Sequence, residues 1–215
     1  MRVAFIGKQS ILKIVLIFFA FLCFYFSGRA QNGFASLTKT QFKLDTSEYT
    51  GYKSYFEYPS QQVLRAFWTY TKSFGHAENR RTYYLVSVPP QSDSTNVTIT
   101  LAGKAEEEGS TSQFSLGMDL NQYNQDPKSY QQQLRIMLLE FKVDMYMGVY
   151  QDQINTLSYE AKKLSKKHQK ALKKGEIFQE ENSARLSRLK DLEHQISQLR
   201  NQQVDLLSLL QKAKG

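Results

Sequence analysis

The chain is 215 residues long and has one cysteine, one tryptophan, four prolines and three histidines. Each scarcity excludes something. A single cysteine, Cys23, can close no disulfide within the chain and cannot build a thiolate metal site. His76, His168 and His194 stand at no ligand spacing and in no H-E-x-x-H frame, so no zinc site is expected. There is no G-x-S-x-G elbow and no glycine-rich phosphate loop. The sequence therefore yields no catalytic residue, no metal ligand and no cofactor, and it reads as non-enzymatic. One absence is local. Ala161 to Gly175, "AKKLSKKHQKALKKG", carries seven lysines and no acid.

What is present begins with an address. Arg2, Lys8 and Lys13 precede an uncharged apolar run, Ile14 to Phe26, which is followed by small Gly28 and Ala30. A run of 13 residues is short for a membrane span, which needs about 20. The pattern is that of a signal peptide over residues 1–30, cut before Gln31, with an uncleaved anchor as the alternative. Cys23 lies inside the run behind Leu22, unlike a lipidated cysteine. Export to the periplasm or cell envelope of a Gram-negative bacterium is expected. The mature chain would hold no cysteine, so its stability must come from packing or assembly.

Charge divides unevenly. Residues 1–30 hold four positive charges, residues 31–126 hold 8 Lys/Arg against 10 Asp/Glu, and residues 127–215 hold 16 against 10. The basicity belongs to the C-terminal half, and with export it is no argument for a nucleic-acid partner.

From Gln31 to about Leu120 apolar residues alternate with period two. Thr38–Leu44 and Tyr52–Tyr58 read as strands around a polar connection, "DTSEYTG". A helix is expected over 60–74, capped by Ser60 and closed by Gly75 at C′, with Val63, Leu64, Phe67, Trp68 and Phe74 on one face. Tyr83–Val88 is the next strand. Val97–Ala102 and Phe114–Leu120 read as a hairpin with "EEEGST" in the turn. Asp126-Pro127 opens a helix, as an Asp cap with proline at N1. Leu134, Leu138, Phe141 and Met145 form a stripe for the sheet; Ile136, Val143, Met147 and Tyr150 form a second for another helix.

Beyond Tyr150 a heptad seam runs without a slip. Its a positions include Ile154, His168, Gly175, Asn182, Leu189, Ile196 and Leu210; its d positions include Leu157, Leu164, Leu192, Leu199 and Leu206. The pattern predicts a coiled coil. Two shapes satisfy it: a straight helix that pairs with other chains, or a hairpin bent near Gly175 with Ser183 capping the return arm. The unbroken register favours the straight helix. The fold class is α+β, with a signal peptide at 1–30, a small α+β domain over 31–126, a packing helix over 127–150 and a coiled coil over 151–215.

"VLRAFWTYTKSFG", "VTITLAG…FSLGMDL", "DPKSY" and "QEEN" together resemble exported Bacteroidetes-type proteins of uncharacterised function. The resemblance implies a signal peptide, a small α+β domain and a Lys/Glu-rich C-terminal coil. It implies no site residue.

Four constellations remain. Glu106 to Glu108 reads as a solvated hairpin end. Tyr52, Tyr55, Tyr83 and Tyr84, with Arg80-Arg81 nearby, are a candidate aromatic platform for a glycan or peptide. Asn96-Val97-Thr98 matches a glycosylation sequon. Lys162, Lys163, Lys166, Lys167, Lys170, Lys173 and Lys174 occupy only b, c, f and g positions, which solubility alone favours, and form a candidate anion-binding face. His168, at an a position, reads as a polar seam residue. The expected function is a cell-envelope structural or interaction protein that oligomerises through its coil, without a cofactor. The alternatives are a periplasmic holdase with basic helical arms and a glycan-binding domain. The partners would be further copies of the chain, anionic envelope components or unfolded protein clients.

Overall fold

The structure, a computed structural model, describes residues 34–89, 98–119, 127–175 and 180–214. The chain divides into Met1–Leu37 and Thr38–Gly215. The first unit is described only over residues 34–37, so the expected signal segment and Cys23 lie outside the described residues, as do Asn96, Val97, Leu120 and the Asp126 cap.

The second unit is α+β. Its strands are β1 (Thr38–Leu44), β2 (Ser47–Phe56), β3 (His76–Asn79), β4 (Tyr83–Val88), β5 (Ile99–Glu108) and β6 (Thr111–Met118). They form one antiparallel sheet in the order β1-β2-β6-β5-β4-β3. The expected polar connection after β1 is mostly strand. Leu44 pairs with Ser47, leaving a two-residue turn in which Asp45 takes φ 52°, a conformation aspartate tolerates. The β5–β6 turn is likewise shorter than expected. Glu106 to Glu108 belong to the ladder, and Gly109, at φ 68°, makes the corner.

Helix α1 (Ser60–Thr71) packs on one sheet face. Pro59, not Ser60, occupies its cap position, and Ser60 turns its hydroxyl to Glu107. Gly75 does not close the helix with positive φ. A Cβ there would stand 2.8 Å from the Ser87 carbonyl oxygen, so glycine lets the chain enter β3 against β4. His76 opens that strand and pairs with Ser87.

Helix α2 (Pro127–Lys173) covers the same face. Phe56, Phe67, Phe114 and Phe141 are fully buried where sheet, α1 and α2 meet, with the Phe67, Phe114 and Phe56 ring centroids 5.0–5.5 Å from that of Phe141. Each such ring contributes about 2–3 kcal/mol of burial. A smaller core of Leu44, Tyr49, Tyr83 and Ala102, with Phe42 and Leu85 against it, occupies the other face.

Helix α3 (Glu180–Lys214) returns antiparallel along α2. The hairpin, not the straight helix, is therefore the shape of the C-terminal region. Gly175 takes φ 74° and its N–H bonds the Leu172 carbonyl, which ends α2. Ser183 lies inside α3 and does not cap it. An unbroken heptad register is thus compatible with a bend, so phase continuity does not discriminate between the two shapes.

Candidate functional site

The seam closes within one chain. Ile154, Ala171, Asn182, Leu192 and Leu206 are buried, and Leu157, Leu164, Leu189, Ile196, Leu199 and Leu210 are partly buried. Cross-arm contacts fix the alignment. His168 Nδ1 lies 2.8 Å from Asn182 Oδ1, Arg188 Nη2 lies 3.1 Å from Glu160 Oε1, and Lys214 Nζ lies 2.5 Å from Glu140 Oε1. His168 thus meets its a-position counterpart. An a-to-a′ polar pair fixes which layers face each other, at a cost in stability.

The seven lysines are all exposed. At 100° per residue they fall within an arc of about 140° and span about 18 Å of helix, opposite the seam. Residues 161–190 hold ten Lys/Arg against three Asp/Glu, net +7, in a chain whose total is +8. Of those acids, Glu181 is held by Arg185 at 2.5 Å, and just outside the segment Glu160 is held by Arg188. Among the described residues none of the seven lysines is in an ion pair. Glu181, beyond the bend, is thus engaged by an arginine of its own helix and not by these lysines; Glu176 lies outside the described residues. Lysines are compact point charges on flexible stems, suited to attracting negative charge without imposing a fork geometry.

The four tyrosines of the expected platform do not share a surface. Tyr52 and Tyr84 alternate onto the helix-covered face, in register with Leu116 and Gly103. Tyr55 and Tyr83 are on the opposite face. Tyr83 is buried, and its hydroxyl donates to Asp45 at 2.5 Å. That bond holds its phenol pKa up. Tyr55 is 47% exposed and bonds Thr111. Period-two reading places neighbours Tyr83 and Tyr84 on opposite sides, and that signal was available in the sequence. Arg80 pairs with Glu78 at 2.8 Å.

Sequence reasoning missed Lys142. This residue is 2% exposed, donates to Ser54 Oγ at 3.0 Å, and has its ammonium 5.3 Å from the centre of the Phe56 ring. Burial depresses its pKa to about 8, with Glu57 opposing the shift. The signal was the breadth of the apolar surface. Phe141 and Val143 were assigned to different partners, which left residue 142 no arc facing water. Around it, the Tyr146 hydroxyl accepts the Glu57 N–H at 3.1 Å, and its ring packs edge-on to Tyr58 at 5.2 Å. Burial pushes Tyr58 up to about 12 and raises Tyr146 and Tyr150 as well.

Among the described residues there is no group of three His, Cys, Asp or Glu placed to hold a metal ion, and no helix long and apolar enough to cross a membrane. An open cavity of about 610 Å³ lies at the end of α1, lined by Lys72, Phe74, His76 and Ser87 among others. Its described lining includes no carboxylate. Comparison with protein-family models, with curated proteins and with solved structures finds no match.

Proposed function

We propose that this chain is a non-enzymatic interaction protein of the cell envelope, in which an α+β body carries a basic helical-hairpin arm that grips a negatively charged partner. One observation carries the reading. The exposed lysines at 162–174 share the face turned away from α3, while Glu160 and Glu181 beside them are engaged by arginines. A charge of net +7 concentrated in thirty residues is costly to the fold through self-repulsion, and a polyanion lying against it relieves that repulsion.

Assembly through the seam loses the reason that suggested it, because a and d side chains are covered by the same chain's other arm. A holdase remains a second reading, favoured by Tyr159, Leu172 and Leu186, which are 72%, 39% and 44% exposed on the arm. Glycan binding by a single tyrosine platform has no support, since the four rings are divided between two faces.

The test is binding of the full chain to polyglutamate at rising salt, beside a variant with Lys162, Lys166, Lys170 and Lys173 changed to Gln. Binding that falls steeply with salt and is lost in the variant supports the arm. Equal binding by both proteins overturns it.

A further inference from the structure

The α+β body and the lysines occupy the same face of α2. In the heptad frame, the residues that the body covers, among them Leu134, Leu138, Phe141, Lys142, Met145 and Tyr146, hold b, c, f and g positions, and all are buried. The lysines at 162–174 hold b, c, f and g positions too. Helix α3 stays on the a/d side throughout, from Glu140–Lys214 near the body to His168–Asn182 near the bend. The body is thus the wall of a crook whose floor is the face of α2 that carries the lysines. The floor runs about 35 Å from Tyr150 to Lys173.

Tyrosines mark the inner corner. Tyr58 closes on Tyr146 from the strand side, with ring centroids 5.2 Å apart. Between this corner and the first lysine, Tyr159 falls at an f position in line with the basic arc and is 72% exposed. The arc from Lys162 to Lys174 contains no apolar side chain, so nothing on it would insert into a bilayer. A flat surface approaching the lysines also meets the body, which stands on the same face. A slender chain does not.

We infer that the crook binds an acidic polysaccharide, whose carboxylates or sulfates lie along the lysines while a sugar ring stacks on Tyr159. This assignment rests on the arm's being an anion-binding site and adds to it the class of ligand. Tyrosine suits a sugar because its ring offers an apolar face and its hydroxyl a hydrogen-bonding edge. Lysine suits a flexible glycan because its charge needs no fixed partner geometry.

The experiment measures binding of the full chain to a polygalacturonate oligomer, to polyglutamate of matched charge, to vesicles rich in phosphatidylglycerol and to single-stranded DNA. Three proteins are compared: the unmodified chain, Tyr159→Ala and the four-lysine glutamine variant. All substituted positions are exposed and off the seam, and circular dichroism checks that the helices are kept. The polygalacturonate oligomer is expected to bind tightest, with affinity falling on the order of ten-fold in the lysine variant. Tyr159→Ala should lower affinity for the oligomer about three-fold or more and leave polyglutamate binding unchanged. If the oligomer binds no better than polyglutamate, or Tyr159→Ala weakens both alike, the glycan assignment is wrong and the basic arm stands. Tighter binding to vesicles or DNA also overturns the assignment. No binding of any polyanion at low salt overturns both.

Discussion

Lys142 is the residue at which the fold spends stability without evident structural return. Its folded pKa of about 8 lies below its ordinary 10.5. Between these values the unfolded chain binds more protons than the folded one, so stability rises with pH, by about 3 kcal/mol in total. Above pH 10 the buried phenols act in the other direction, because Tyr58, Tyr70 and Tyr146 are harder to ionise folded than unfolded. The stability maximum is therefore expected near pH 9–10, on the basis of these directions. Lys142→Met, which keeps the stem and removes the charge, should stabilise the chain at pH 7 by about 2–3 kcal/mol and abolish the rise between pH 8 and 10. Urea titrations at several pH values check both effects, and an unchanged pH profile would contradict the burial of the ammonium. A second residue-scale test concerns close approach. A Cβ on Gly103 would lie 2.3 Å from the Phe67 ring. Gly103→Val should therefore cost about 2–4 kcal/mol by forcing α1 off the sheet, readable as a fall in melting temperature.

At the level of elements, the polar layer of the hairpin is a device for alignment. Asn182 is 2% exposed and faces His168 across the seam. Replacing both with leucine should strengthen the distal arm by removing a buried polar pair, and should slow amide exchange around Leu164 and Leu189. Faster exchange there would mean that the pair stabilises the arm as well as aligning it. The bend is a separate matter. Gly175→Ala places a side chain at φ 74° and should cost about 1 kcal/mol, since among the described residues nothing lies within 4 Å of the added Cβ and the cost is that of the backbone conformation.

Elements also show what the sequence could express. β1 and β4 were readable to the residue, because alternation and flanking polar clusters agree there. The start of β2 was missed because "DTSEYTG" has the composition of a loop, although Asp45 and Thr46 alone make the turn. β3 was invisible: four polar-leaning residues, three of them exposed, are held as an edge strand only by pairing to β4. The apolar face of α3 was legible, down to the seam position of each of its buried residues, Asn182, Leu192 and Leu206. Heptads state which face is apolar and not which helix covers it, so the bend at Gly175 had to come from the structure. The lysine face was legible, and so was the stripe of α2 that takes the sheet, which falls at b and f positions of the same frame.

Across the whole molecule, charge and architecture coincide. The body is slightly acidic, the arm carries the positive excess at its far end, and α2 is the single element that joins them. This account differs from one of assembly through the heptads chiefly in where Glu160 and Arg188 meet: within one chain, 3.1 Å apart, or nowhere in one chain. Spin labels at positions 160 and 188, in chains diluted with unlabelled protein, measure that distance by pulsed electron resonance. The hairpin predicts a short distance, below about 20 Å with the labels' own reach, unchanged by dilution. A straight helix places the same positions about 42 Å apart, and that longer distance would contradict the arm on which the proposed function depends.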